Sequence, residues 1–192
     1  YYAHAGAGEL HLRPILNLKT DEGVGYFRII TTEVAQLVKK YKGSFSGEHG
    51  DGIVRSEFIP FMVGEKNYEL FKKIKKIFDP NNIFNPGKIV DAEKMDAALR
   101  TKVSSITPKI ETKFNFKDSE GIVRLAEKCN GSGDCRKSAD ASGTMCPSYH
   151  ATKNEKDTTR ARANMLREVL YTNKAENKFD SVDLKKVFDL CI

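Results

Sequence analysis

The cysteines of this 192-residue chain are confined to its last third. The first 128 residues carry none, and all four lie beyond them, at Cys129, Cys135, Cys146 and Cys191. Because no signal-peptide pattern opens the chain, this usage favours metal or redox chemistry over a disulfide framework. The sequence therefore predicts two parts, one without cysteines and one built around them.

Composition limits the classes of protein to consider. Hydrophobic residues make up 40% of the chain, enough for a globular core, and the net charge is +6. The basic residues alternate with acidic ones on predicted helices, so solvated helix faces are expected rather than a nucleic-acid surface. No apolar run reaches the roughly 18 residues of a membrane-spanning helix.

The sequence of the first part, which has no cysteines, predicts an α+β fold in which an antiparallel sheet is combined with helices. Two strands are expected at residues 1–4 and 9–18 around a small-residue turn, with helices at 21–41 and 65–78. The glycine-punctuated segment 43–54 is too polar for a simple strand and is expected to face a site.

The sequence of the second part, which contains the cysteines, predicts a small all-helical module. Residues 91–118, rich in Ser, Thr and Lys, are interpreted as a linker between a domain at 1–90 and a module at 119–192. Helices are expected at 119–128, 156–171 and 181–192, and no strand pattern is present there.

Three histidines and a carboxylate lie in two glycine-rich segments of the first part. His4 and His11 flank a glycine turn, so two strands can direct both imidazoles to one point. Glu48 and His49 are adjacent, and on extended backbone they would point in opposite directions, one to a metal and one to a substrate. Two histidines and one carboxylate leave coordination positions open for catalysis. Ordinary polar loop residues remain the alternative.

Three segments carry a family resemblance. They are AHAGAGELHLRP at 3–14, SGEHGDG at 46–52 and FDPNNIFNPGK at 78–88. Together they resemble the C-terminal domain of FAD-linked oxidases, a family that includes D-lactate dehydrogenases, glycolate oxidase subunits and D-2-hydroxyglutarate dehydrogenases. The resemblance covers about residues 1 to 90 and follows the family order.

The resemblance implies specific roles. His4, His11 and Glu48 would bind a divalent metal, Zn, Mn or Fe, and His49 would take the hydroxyl proton of a 2-hydroxy acid while hydride passes to FAD. The residues it places next to the flavin are Glu48, His49, Gly50, Asn85 and Lys88.

Two positions depart from the family pattern. Many relatives carry Gly-Asp-Gly-Asn where this chain has Gly-Ala-Gly-Glu, ending at Glu9. Arg13 stands where related enzymes carry Asn, and its guanidinium suits a carboxylate, which allows a dicarboxylate substrate. A plain surface ion pair of Arg13 is the alternative.

The cysteines resemble a broken ferredoxin-type run. Ser132 stands where the middle thiol of C-x2-C-x2-C belongs, between Cys129 and Cys135, and Cys146 precedes a proline after a widened loop. A three-iron cluster, a serine or water ligand, a degenerate site or merely buried thiols are all compatible with this pattern. Residues 145–168 resemble the iron-sulfur domain fused behind flavin domains in large bacterial D-2-hydroxyacid dehydrogenases, in which Cys191 would open a second run.

The sequence thus predicts an internal fragment, inactive alone, of a flavin- and iron-sulfur-dependent D-2-hydroxyacid dehydrogenase. Its partners would be a small 2-hydroxy acid and an electron acceptor, either a quinone, a cytochrome or a flavoprotein, with no nucleic acid involved. A cytoplasmic location is expected, and peripheral association with the inner face of the membrane is left open. The alternatives are an iron-sulfur electron-transfer module without catalysis and a zinc-stabilised basic interaction domain.

Overall fold

The structure is a computed structural model that describes residues 2–141 and 145–191. The chain divides into two compact units, 1–105 and 106–192. The predicted strand start at Tyr1, the predicted helix end at Ile192 and residues 142–144 of the cysteine loop lie outside the described residues. None of the described helices combines the length and the apolar character needed to cross a bilayer.

A two-stranded antiparallel hairpin begins the first unit. Strands β1 (Tyr2–His4) and β2 (Glu9–His11) pair with Tyr2 opposite His11 and His4 opposite Glu9. Gly8 closes the turn in the left-handed region, at φ +69°, which a residue without Cβ adopts at little cost. β2 is shorter than the predicted strand, because residues after His11 have no described strand beside them and Pro14 lacks an N–H to donate.

Two long helices of the first unit agree with the apolar periodicity. α1 (Asp21–Lys40) begins where the Thr20 hydroxyl accepts a hydrogen bond from Gly23 N–H, and α4 spans Glu65–Phe78 as predicted. Between them lie two short helices that the sequence did not predict, α2 (Gly52–Ser56) and α3 (Ile59–Val63). Both are too short to show a 3.6-residue period.

The core of the first unit is small and uses residues of the predicted linker. Ala35, Phe58 and Met95 are its buried members. The partly buried residues packed against them are Phe27, Phe45 and Met62. Met95 is only 1% exposed. Residues 91–105 therefore belong to the first compact unit and do not form a free connection.

One arginine joins three segments of the first unit. Arg28 of α1 donates paired hydrogen bonds to the carboxylates of Glu57 (3.0 and 3.3 Å) and Asp96 (3.0 and 2.8 Å). Glu57 also accepts from Met95 N–H at 2.6 Å, which fixes the core methionine. The hydrogen bonds from Arg28 lower the pKa of both carboxyls.

The described residues of the second unit form four α-helices, several short 3₁₀ turns and no strand. The helices are α5 (Ile122–Glu127), α6 (Pro147–Thr152), α7 (Thr159–Thr172) and α8 (Val182–Phe188). Three agree with predicted segments, and α6 was not predicted. Hydroxyls of Thr158 and Ser181 cap α7 and α8 by accepting N–H groups of Ala161 and Leu184. Leu170, completely buried, is at the centre of this unit.

Replacing Arg28 by Met is expected to destabilise the first unit by about 1–2 kcal/mol at neutral pH, because two partly buried carboxylates lose their common partner. Their depressed pKa values mean that this stabilisation is present above the unfolded-state carboxyl pKa. It is lost as the pH falls through the folded-state values. The difference between wild type and Arg28→Met should therefore shrink in acid. Urea unfolding at several pH values measures it.

Lys66→Met provides the charge-matched control, since Lys66 is exposed on α4. Its substitution should change the free energy of unfolding by less than about 0.5 kcal/mol at every pH. An Arg28→Met penalty that is equally large at low and neutral pH would contradict the ion-pair explanation.

Candidate metal and catalytic site

One face of the hairpin carries the polar residues of the site. Side chains of a strand alternate between faces, and the pairing places Tyr2, His4, Glu9 and His11 on the same face. The imidazole centroids of His4 and His11 lie 4.8 Å apart. The predicted convergence of these two histidines therefore follows from the strand register.

Glu48 and His49 lie on a loop that its own polar groups hold in place. The Ser46 hydroxyl donates to the Asp51 carboxylate at 2.7 Å, and Arg55 donates to the Gly50 carbonyl at 2.7 Å. Gly47 lies directly beneath the Glu9 side chain, since a Cβ at Gly47 would be 2.2 Å from Glu9 Cδ. The absence of a side chain at Gly47 thus lets the loop approach the hairpin.

Three imidazoles converge on one carboxylate oxygen. Glu48 Oε1 lies 3.0 Å from His4 Nε2, 3.3 Å from His11 Nε2 and 3.3 Å from His49 Nε2. One ligand atom from each of His4, His11 and Glu48 lies within 4.8 Å of the others. Ligands bound at about 2.1 Å to one ion lie roughly 3 Å apart, and the distances from Glu48 Oε1 to the two hairpin imidazoles match that spacing.

The orientation of His4 favours metal binding over a hydrogen bond. Its Nε2 atom is buried and has no hydrogen-bond partner among the described residues, although Glu48 Oε1 is at ion-pair distance. A buried polar atom without a partner is costly, and a metal ion would satisfy it. His4, His11 and Glu48 therefore fit a divalent cation.

His49 differs from the expected geometry. The sequence placed Glu48 and His49 on extended backbone with opposite directions, but residues 45–49 are bent. The His49 imidazole consequently turns toward Glu48, at 3.3 Å. It is the most exposed member of the group, with 71% of its side chain accessible, and it lies outside the compact set of three ligands. An accessible imidazole beside a metal-type site is placed to exchange a proton with a substrate.

Arg13 is not part of a surface ion pair. Its Nη2 donates to the Tyr2 hydroxyl at 2.9 Å, and its guanidinium carbon lies 4.9 Å from the Tyr2 ring centroid. No carboxylate partner of Arg13 exists in the described part of the chain. Within the described residues its positive charge is therefore not neutralised by a carboxylate.

A cavity of about 1080 Å³ in the first unit contains the remaining predicted cofactor residues. Asn85 and Lys88 line it together with Ser46 and Asp51, which flank the Glu48 loop. Much of the remaining lining is apolar and comprises Phe45, Ile59, Met62, Val63, Phe71, Ile74, Phe78, Phe84, Ile89 and Val90. Glu48, His49 and Gly50 are outside the lining, so the predicted cofactor residues form two neighbouring groups.

No disulfide joins the four cysteines, and in the described part of the chain they do not form a ready ligand set. Cys135 and Cys146 are buried, Cys129 is half-buried and Cys191 is exposed. Within the described residues of the second unit, no three Cys, His or carboxylate ligand atoms come together at metal-binding distance. A cluster would therefore need movement of these loops or ligands outside the described residues.

Cys146 has the most polar surroundings of any cysteine. Burial acts to raise the pKa of its thiol, but hydrogen bonds from Tyr149 N–H and from Thr159 and Ser148 outweigh burial and lower the pKa to about 7. The buried Arg162 also donates to Cys146 Sγ at 3.6 Å and to Ser148 Oγ at 3.0 Å. These contacts favour an anionic sulfur, which is the form that binds metal.

The sequence did not single out Tyr2, Ser46 or Asp51. Tyr2 stacks on His11 with centroids 4.3 Å apart and an angle of 12° between the rings. Tyr2 and His4 are two residues apart on a predicted strand, and this spacing could have indicated that both side chains lie on the same face. The Ser46–Asp51 pair had no comparable signal, because it depends on how the loop bends.

Comparison with known proteins identifies the class of domain. Residues 1–89 match the family model described as "FAD linked oxidases, C-terminal domain". Together with the relatives below, this match supports the FAD-linked oxidase C-terminal family for that part of the chain. No solved structure gives a significant match.

Particular relatives extend the similarity. The D-2-hydroxyglutarate dehydrogenase of Escherichia coli is 36% identical over 174 residues, which is 88% of this chain and 16% of that protein. That of Haemophilus influenzae is 36% identical over 176 residues, 92% of this chain and 17% of that protein. The D-lactate dehydrogenase of Archaeoglobus fulgidus is 37% identical over 89 residues, 46% of this chain and 19% of that protein. The chain thus spans less than a fifth of the length of these relatives.

Gly47→Ala is expected to weaken zinc binding by about 3- to 10-fold, because the new methyl group displaces either the Glu9 side chain or the backbone next to Glu48. Since Glu9 can rotate away, the free energy of unfolding should change by no more than about 1 kcal/mol. Calorimetric zinc titration and urea unfolding measure the two effects.

Gly6→Ala is the matched control, because a Cβ at Gly6 meets nothing within 4 Å. It lies in the hairpin turn and should retain wild-type zinc affinity. Equal zinc affinity of the Gly47→Ala variant and wild type would show that the close approach of Glu9 to Gly47 does not matter for the site.

Proposed function

We propose that this chain is part of a flavin-dependent D-2-hydroxyacid dehydrogenase that oxidises the 2-hydroxy acid to the 2-oxo acid by hydride transfer to FAD. The observation that carries the proposal is the convergence of His4, His11 and His49 on Glu48 Oε1 in a domain of the FAD-linked oxidase family. An imidazole and an open metal site at one point are what removal of a hydroxyl proton requires.

His4, His11 and Glu48 are the proposed ligands of a divalent ion, Zn, Mn or Fe. When bound, such an ion polarises the oxygens of a 2-hydroxy acid and lowers the pKa of its hydroxyl group. Three protein ligands leave positions for the hydroxyl and carboxylate oxygens of the substrate. The buried, unpartnered Nε2 of His4 supports this assignment.

His49 is the proposed general base. Its accessible imidazole can accept the hydroxyl proton while the ligand set keeps the substrate oxygen in place. The proposed flavin contacts are Glu48, His49, Gly50, Asn85 and Lys88. The apolar cavity beside Asn85 and Lys88 supports an aromatic ligand on that side of the loop.

Arg13 is proposed to bind a substrate carboxylate. Its guanidinium has no carboxylate partner in the described residues, which supports a substrate that brings one. The D-2-hydroxyglutarate dehydrogenases of Escherichia coli and Haemophilus influenzae match both parts of the chain. We therefore favour a dicarboxylate, D-2-hydroxyglutarate, over D-lactate.

The second unit is proposed to be a ferredoxin-like iron-sulfur module that carries electrons away singly. Its proposed ligands are Cys129, Cys135, Cys146 and Cys191, and the arginine next to Cys146 supports an anionic sulfur there. Similarity to D-2-hydroxyglutarate dehydrogenases over 174 residues extends well beyond the 89 residues of the oxidase domain. This longer stretch of similarity supports the proposal that the second unit belongs to the same type of enzyme.

The acceptor of these electrons is proposed to be a quinone, a cytochrome or a flavoprotein, and the proposed location is the cytoplasm. The absence of a disulfide among the four cysteines is compatible with a reducing compartment. A quinone acceptor would bring the enzyme to the inner face of the membrane.

Alanine at His4 or His11 should weaken zinc binding of the chain by at least about 100-fold, because each removes a direct ligand. His49→Ala should stay within about 3-fold of wild type, since His49 lies outside the ligand set. Calorimetric zinc titration with a competing chelator measures the affinities.

His150→Ala is the control, because His150 is the remaining histidine and belongs to α6 of the second unit. It should bind zinc as wild type does. Unchanged affinity in both His4→Ala and His11→Ala would refute the ligand assignment.

In the complete encoded protein, D-2-hydroxyglutarate added without oxygen should bleach the visible absorption of bound flavin. His49→Ala should slow the bleaching, per bound flavin, by about 10²- to 10⁴-fold, the usual contribution of a positioned base, and leave the metal content unchanged. Stopped-flow absorption measures the rate.

Two outcomes would contradict the proposal. A complete protein that contains iron and sulfide but reduces with no D-2-hydroxy acid would be an electron-transfer module without catalysis. A complete protein that purifies without flavin would exclude the dehydrogenase altogether.

A further inference from the structure

Tyr2 contacts both His11 and Arg13. The pairing of β1 with β2 places Tyr2 directly opposite His11, and Arg13 lies two residues further along the chain. Cross-strand and diagonal neighbours on one face are close enough for aromatic and long side chains to touch. Tyr2 is thus the one side chain described here that touches both a proposed metal ligand and the proposed carboxylate-binding arginine.

The Tyr2 ring limits the orientation of the His11 imidazole. The two rings are nearly parallel, at 12°, with centroids 4.3 Å apart, while His4 approaches the Tyr2 ring in a tilted arrangement at 5.9 Å. A stacked imidazole can rotate about its Cβ–Cγ bond only by losing this contact. The Nε2 of His11 is thereby kept in the direction of Glu48, 3.3 Å away.

The Tyr2 hydroxyl fixes the orientation of the Arg13 side chain. It accepts a hydrogen bond of 2.9 Å from Arg13, and the guanidinium carbon is 4.9 Å from the ring centroid. A phenol is a neutral acceptor, so it orients the guanidinium without neutralising the charge. Arg13 therefore stays available to a carboxylate that arrives beside the metal-type site.

We propose that Tyr2 is a positioning residue with two separable functions. Its ring holds His11 in the orientation that binds metal, and its hydroxyl holds Arg13 in the orientation that binds the second carboxylate of a dicarboxylic 2-hydroxy acid. The inference rests on the proposed function and deepens it by assigning substrate selection to a contact outside the ligand set.

The two functions predict different results for two substitutions. Tyr2→Phe keeps the aromatic ring and removes the hydroxyl, so it affects only the Arg13 contact. Tyr2→Leu removes both. Tyr26→Leu is the matched control, because Tyr26 of α1 is 50% exposed, close to the 47% of Tyr2.

The first experiment is calorimetric zinc titration of the 192-residue chain. Tyr2→Phe and Tyr26→Leu should bind zinc with wild-type affinity, whereas Tyr2→Leu should bind about 3- to 10-fold more weakly through loss of ring stacking. Equal melting temperatures of the variants would exclude misfolding as the cause. Failure of wild type to bind zinc refutes the proposed metal site and overturns this inference with it. Wild-type affinity in Tyr2→Leu overturns the inference alone.

The second experiment uses the complete enzyme with two substrates. Tyr2→Phe should raise the KM for D-2-hydroxyglutarate by about 5-fold, the usual effect of one lost hydrogen bond, and leave kcat unchanged. The KM for D-lactate, which has no second carboxylate, should not change. An equal rise of KM for both substrates, or no rise for either, would overturn the assignment of the hydroxyl to dicarboxylate selection.

Discussion

The Glu48 carboxylate is the interaction on which the site depends. Its Oε1 atom is within 3.3 Å of three imidazoles, two from the hairpin and one from its own loop. A carboxylate can hold such a group only if the loop stays close to the hairpin, and the contact of Glu9 with Gly47 shows how close that approach is. The core continues to the edge of this loop, since the Phe45 and Phe58 rings pack edge to face with centroids 5.6 Å apart. The apolar packing of the first unit therefore helps to place the proposed metal ligands, as the hydrogen bonds within the Glu48 loop also do.

The fold of the first unit was predictable where the chain is regular. α1 and α4 carry apolar residues at helical spacing and clear end signals, so their predicted bounds differ from the structure by at most one residue. α2 and α3 escaped prediction because helices of five residues have no measurable period. Met95 was not predicted as a core residue for a related reason. It reaches the core from a segment without regular structure, and the Arg28 and Glu57 contacts help to bring that segment into place.

Candidate residues could be predicted from the sequence, but their orientation could not. His4, His11 and Glu48 stand out by residue type, and the strand period explains why two of them meet. The direction of His49 was wrong, because the expectation assumed an extended backbone where the chain bends. Tyr2 was missed since a tyrosine near a histidine is uninformative until the register is known. The cysteines remained ambiguous for the opposite reason, because their spacing suggests a cluster that the loops of the described chain do not assemble.

The arginines of α7 suggest how the second unit is organised around its cysteines. The pKa of the Arg160 guanidinium is raised, chiefly by its hydrogen bond with Glu155 and also by the charges of Cys135 and Cys129. Arg162 instead donates to Cys146 and to the Val187 carbonyl near the end of α8, shortly before Cys191. Residues two apart on a helix point to nearly opposite sides, so one helix can serve two separate groups of cysteines.

This division matches the logic of ferredoxin-type runs, in which the cysteine before proline ligates a different cluster from the others in its run. Cys146 precedes a proline and contacts Arg162, whereas Cys129 and Cys135 interact with Arg160. A buried guanidinium requires a compensating negative charge, and its three hydrogen-bond partners here are a sulfur, a hydroxyl and a carbonyl. The buried Asp157 carboxylate already interacts with the charge of Arg162, and an anionic sulfur at Cys146 would add to that compensation where α6, α7 and α8 meet.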